Sequence, residues 1–281
     1  MKSIKLHKLV LLFSFFALYF TACEKNDLQA PELSIAEDDA LTTDLYEDVF
    51  AEVEDAMEFI EDDIYGGGLK SASTVVCKII TVDHPDDSTL WPRTLTIDYG
   101  EGCISPNGRT RKGKIIVVVN DRNNSENYYR TVSFENFYID DFKIEGEKVV
   151  NNEGMNDNGN MYFSVVLTGG KVITPEGKII TKEYNRIREW VAGSSTPLFH
   201  WDDEYLVTGT ASGVNRNGVA FTRTILEPLY ITKDCRWIRS GKVEISAEGR
   251  EKAILDYGDG SCDRFAIVTV GEKSWTISLH R

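Results

Sequence analysis

Histidine is scarce in this chain, with four residues in 281: His7, His84, His200 and His280. So few imidazoles leave little material for a busy metal centre. His84 lies in DHPDD and His200 in FHWDDE, mixed clusters whose spacing follows no metal motif and whose proline and paired aspartates read as exposed loop. His280 reads as a terminal surface group. Also missing are a G-x-S-x-G nucleophile elbow, an H-E-x-x-H zinc helix, a phosphate-binding glycine loop and a dinucleotide fingerprint. Paired glycosidase carboxylates leave no spacing to read, because such pairs are assembled in space. The chain therefore reads as a non-enzymatic protein without a resident cofactor.

Basic residues are in short supply, 31 Lys+Arg against 45 Asp+Glu for a formal net charge of −14. No basic stripe offers itself to a nucleic acid, so no nucleic-acid partner is expected. The deficit is local. Between Glu24 and Tyr65 there are sixteen acids and one lysine, whereas from Gly66 onward 29 acids face 27 bases.

Long hydrophobic runs are absent except at the start. Behind Lys2, Lys5 and Lys8, the segment Leu9 to Phe20 is apolar apart from Ser14, about half the length a membrane-crossing helix needs. Residues 1–22 read as an export signal. The run ends in Phe20-Thr21-Ala22-Cys23, which resembles a lipobox. That resemblance implies a diacylglycerol on the Cys23 sulfur and a membrane as the first partner, an anchor held by about 0.8 kcal/mol per buried methylene. The acidic stretch after Cys23 resembles the surface-export signals of Bacteroidota lipoproteins. Outer-membrane attachment is expected, facing either the periplasm or the cell surface.

Residues 23–42 carry few large apolar side chains and no period, and read as a flexible acidic tether. Residues 43–281 read as a single β-rich domain. It opens with a helix over 43–64, where Leu45, Val49, Phe50, Val53, Met57 and Ile60 recur at spacings of three and four. The stripe predicts a helix laid on one face of a sheet. From Ser73 onward, alternating segments rich in Val, Ile, Thr and aromatics are separated by turn signals such as SPNGR, TPEGK and VNRNGV. About 12 to 16 antiparallel strands fit. The expected fold is all-β: a sandwich-like sheet, a closed barrel, or a curved half-barrel carrying the helix on its concave side.

Two stretches nearly repeat each other, TIDYGEGC ending at Cys103 and ILDYGDGSC ending at Cys262. Each closes a unit of cysteine, strand, connection, strand and glycine turn that begins at Cys77 or Cys235. Pairing within a unit, Cys77 with Cys103 and Cys235 with Cys262, follows if its strands run antiparallel. Cross-unit pairing and free thiols stay open on the sequence alone. The acids of these turns, Asp256, Asp259 and Asp263 in one copy with Asp98 and Glu101 in the other, are candidate Ca²⁺ ligands or ordinary turn formers.

Trp91, Trp190, Trp201, Trp237 and Trp275 are spread through the β region and suit either core packing or a ligand surface. Asp87-Ser88-Thr89 resembles a short O-glycosylation site. Together, IDYGEGC, GRTRKGKI, GTASGVNRNG and LDYGDGSCD behind a lipobox resemble an uncharacterised family of Bacteroidota outer-membrane or surface lipoproteins. The resemblance implies lineage and address. The functional expectation is a binding or carrier module for an apolar, glycan or protein ligand. The alternatives are a structural or adhesive surface protein and an envelope-glycan hydrolase.

Overall fold

The computed structural model describes residues 31–65, 72–75, 77–83, 91–105, 108–122, 125–196 and 200–280. Cys23, His84 and Asp87-Ser88-Thr89 lie outside them. One helix, α1 (Pro31–Tyr65), precedes fifteen strands. They are β1 (Ala72–Val75), β2 (Lys78–Asp83), β3 (Arg93–Asp98), β4 (Cys103–Ile104), β5 (Thr110–Val119), β6 (Tyr129–Ile139), β7 (Phe142–Met155) and β8 (Met161–Ile173), followed by β9 (Ile179–Ala192), β10 (Glu204–Val214), β11 (Ala220–Thr232), β12 (Ser240–Ser246), β13 (Ala253–Asp259), β14 (Phe265–Val270) and β15 (Lys273–Ser278). All belong to one antiparallel sheet in sequence order, with the two-residue β4 added beside β5. The sheet curves without closing, so the half-barrel expectation holds and the sandwich and closed barrel do not.

The bend has a local cause. Ladder registers slip between Lys112 and Lys114, Glu145 and Glu147, Leu167 and Gly170, and Val207 and Thr210, and such bulges curve a sheet. Gly113 and Gly209 sit in two of them at φ 81° and 127°. A Cβ there would stand 2.0 Å from the Asn136 carbonyl oxygen and 2.3 Å from that of Asn185, so only glycine lets the neighbouring backbones approach.

The helix lies along the trough. The six apolar residues of its expected stripe are all buried, and from Leu33 to Phe50 its other faces are largely enclosed too, whereas Asp55 farther on is exposed. Leu41 to Ile60 pack in a core with β2 to β10, while Leu33, Ile35, Ala36 and Ala40 belong to a second core with β10 to β15. The helix therefore joins the two halves of the sheet.

This corrects the tether expectation for residues 31–42, which form the first three turns of α1. Pro31 is tolerated at a helix start, Glu32 suits the positive end of the helix dipole, and burial of Leu33, Ile35 and Ala36 supplies the packing. The acids that suggested solvation are themselves buried, Asp38 and Asp39 both 0% exposed.

Both within-unit disulfides form, Cys77 to Cys103 and Cys235 to Cys262, with Cα separations of 5.4 and 5.7 Å. They close loops spanning 26 and 27 residues, each contributing about 3 to 4 kcal/mol in the chain-entropy description. Reduction under denaturing conditions is expected to add four hydrogens to the mass of the oxidised chain. An unchanged mass would rule both bridges out.

Candidate functional site: a helix-filled trough and its aromatic cleft

Strand alternation aims every second side chain into the trough, and many of those side chains are basic. On β9 the inward positions are Lys182, Tyr184, Arg186, Arg188 and Trp190, all buried. Arg109, Arg111, Arg130, Lys148 and Arg223 enter from other strands and turns, each under 5% exposed. Unpaired, such charges would cost several kcal/mol apiece. The acids of α1 meet most of them.

From the start of the helix onward, Asp38 accepts from the Arg216 Nε at 2.6 Å, and Asp39 accepts from the Lys182 Nζ at 2.8 Å beside the Arg223 Nε at 2.9 Å. Asp44 pairs with Arg109, and Glu47 binds Arg186 at 3.1 Å and also Arg188. Asp48 holds Arg111 at 2.7 Å, and Glu52 accepts from Lys78 at 2.7 Å and from the Tyr99 hydroxyl at 2.5 Å. Glu54 pairs with Arg130, and Asp55 with Lys233 at 2.5 Å. The acidic surplus of the N-terminal segment and the inward bases of the sheet are two sides of one ionic ladder. Burial pushes the carboxyls of Glu47, Glu52 and Glu54 upward, but the facing cations outweigh it and hold all three below the ordinary 4.5. Lys148 lies with its Nζ 4.3 Å from the centre of the Phe50 ring, and burial drives its amine well below the usual lysine value.

With the trough occupied, room for a ligand remains at one mouth. A cleft of about 450 Å³ opens between the middle of α1 and the β11–β12 connection, its walls including Phe50, Glu54, Arg188, Trp201, Tyr205 and Lys233. The Arg188 guanidinium lies 3.8 Å from the Phe50 ring centre and 5.0 Å from that of Tyr205. Behind it, Trp190 stacks on Tyr205 with centroids 6.0 Å apart. Asp203 fixes both rings, accepting from the Trp190 Nε1 at 3.1 Å and the Tyr205 hydroxyl at 3.2 Å. Trp201, in the short 3₁₀ turn His200–Asp202, is 68% exposed. The cleft thus combines aromatic surface with charges already held in ion pairs, which suits recognition of a flat, hydroxyl-rich molecule. Glu47, Glu52 and Glu54 line it as bound carboxylates, so none is a proton donor near neutral pH.

Other sequence candidates are placed elsewhere. Asp256, Asp259 and Asp263 each turn a side-chain oxygen onto a nearby backbone N–H, of Gly258, Ser261 and Phe265 respectively. Asp98 does the same for Gly100 in the first copy of the repeat. They act as turn formers, and among the described residues no group of three or more His, Cys, Asp or Glu side chains is placed to hold a metal ion. His280 is not a free surface group. Its ring packs 5.0 Å from that of Phe142, Nε2 lies 3.5 Å from Asp140, and burial lowers its pKa. Trp190 is buried, and Trp91, Trp237 and Trp275 pack against the cores. The inward bases went unrecognised in the sequence although a signal existed. In KEYNRIREWV, lysine and two arginines share the parity of Tyr184 and Trp190.

No family model, curated protein or solved structure matches this chain.

Proposed function

We propose that the protein is a lipid-anchored, non-enzymatic binding module of the bacterial cell envelope whose ligand is a glycan held in the Trp201 cleft. The observation that carries this reading is the exposed Trp201 at a cleft of about 450 Å³ beside the ordered Phe50, Arg188 and Tyr205. Aromatic faces take the apolar face of a sugar ring, and flanking charges and hydroxyls take its edge. An apolar cargo carried along the trough fits less well, because α1 already fills it. The lipobox at Cys23 and the signal at 1–22 support the address. The strings IDYGEGC, GRTRKGKI, GTASGVNRNG and LDYGDGSCD behind that lipobox support a Bacteroidota lipoprotein lineage.

The filled trough also suits a scaffold or adhesin without a small-molecule site, and one comparison separates the two readings. The chain from Glu24, secreted through an oxidising compartment, is examined by native mass spectrometry and titrated with soluble envelope glycans. Trp201→Ala is expected to weaken binding roughly fivefold, since an aromatic contact is worth about 1 kcal/mol, and to leave the melting temperature unchanged. Equal behaviour of the two proteins, with no glycan bound by either, would sink the glycan reading in favour of the scaffold.

A further inference from the structure

The direction of α1 gives the molecule an orientation. Hairpin tips gather round its first turns. Asn217 and Asn215 reach the Ser34 hydroxyl at 3.4 Å, Arg216 binds Asp38, and Arg250 lies 3.6 Å from Glu32. These contacts fix the β10–β11 and β12–β13 turns beside the helix start. The β8–β9 tip adjoins them, because Thr181 just beyond it pairs with Val214 at the edge of the β10–β11 turn, where the Val214 N–H donates to the Thr181 hydroxyl at 3.0 Å. Gly271 of the β14–β15 turn stands against Glu251. The Trp201 cleft lies farther on, because Phe50 is roughly 28 Å along the axis from Pro31 at a rise of about 1.5 Å per residue.

Covalent geometry limits the distance to the anchor. Seven residues, Glu24 to Ala30, separate Cys23 from Pro31, and the eight Cα–Cα steps between them span at most about 29 Å. The tips themselves are polar, TPEGK, NRNG, AEGR and GEK, with no large apolar side chain to enter hydrocarbon and charges of both signs suited to the headgroup layer.

We infer that the hairpin tips around the first turn of α1 form the face that rests against the lipid headgroups beside the Cys23 anchor, so that the Trp201 cleft opens away from that bilayer. This rests on the lipid-anchored reading proposed above and deepens it: the ligand arrives from the aqueous side, as a soluble or polymeric glycan, rather than being drawn from the same leaflet.

The test uses the full-length acylated protein in vesicles of phosphatidylethanolamine and phosphatidylglycerol containing a headgroup-labelled acceptor lipid. A donor dye is placed singly at Glu176→Cys, Glu248→Cys, Asp157→Cys or Ser195→Cys, all exposed positions. Energy transfer is expected to be several-fold stronger from 176 and 248 than from 157 and 195. Equal transfer from all four, or the reverse order, in protein whose mass includes the acyl chains would overturn the orientation and leave the anchor standing. A mass without acyl chains on Cys23 would instead remove the anchor and the orientation with it. The unacylated chain from Glu24 is expected to stay in the supernatant when vesicles are pelleted, and its sedimentation with them would show that the tips themselves bind lipid and refute the anchor-only contact.

Discussion

Asp39→Ala is expected to destabilise the protein by about 3 to 5 kcal/mol, the cost of removing one partner from a buried ionic group. Asp39 is fully buried, and its Oδ1 and Oδ2 face the Lys182 Nζ at 2.8 Å and the Arg223 Nε at 2.9 Å, themselves no more than 1% exposed. Lys182 keeps hydrogen bonds to Thr42 and Thr43 without the carboxylate, whereas Arg223 cannot shed its proton. The stranded guanidinium is therefore the larger part of the loss. Urea unfolding of Asp39→Ala measures the total, and Asp39→Ala/Arg223→Met is expected to recover more of it than Asp39→Ala/Lys182→Met. A midpoint unchanged in Asp39→Ala would mean that this end of the helix is not enclosed as described.

Acid is expected to act on stability in two opposed stages. Burial alone would raise the carboxyls of Asp39, Glu47, Glu52 and Glu54, but their cations prevail and leave them below the ordinary 3.8 and 4.5. Each then contributes stability that is fully present above its unfolded value and is lost as pH falls toward the depressed native one. Asp44 runs the other way. Burial lifts it to about 6 against the pull of Arg109, so its contribution is fully present below 3.8 and lost as pH rises through 6. Asp44 should therefore add a slight rise on acidification through 6, opposed by His280, whose lowered native pKa costs stability over the same range, and stability should fall steeply below about 4.5. Denaturant midpoints followed from neutral to acid pH check the curve. Asp44→Asn should abolish the rise, and a profile that stays flat into strong acid would contradict the ladder.

The strands, the turn motifs and the cysteine units could be read locally because alternation, Asn-Gly tips and Asp-Gly turns act over a few residues. The trough required more. Arg188 on β9 and Glu47 on α1 are 141 residues apart, and neither looks buried until the other is known. The same holds for residues 31–42, where acids beside small apolar residues resemble a solvated tether unless Lys182 and Arg223 are already in view. The half of the cleft that Trp201 lines was in view only as an exposed loop carrying an aromatic that suited either core packing or a ligand surface. The other half is helix, and its position there depends on the sheet bending at glycines such as Gly113 and Gly209.

The packing of α1 also orders events in time. Its first turns bury Leu33 and Ile35 against strands that end at Ser278, so during synthesis these turns must wait for strands made far later. Such distant contacts make for slow folding and long exposure of unpaired strands. During that wait the acids of the helix are hydrated and repel one another, keeping the segment soluble and free of premature partners. The charges that close the native core thus first serve as a built-in guard for a chain still being made.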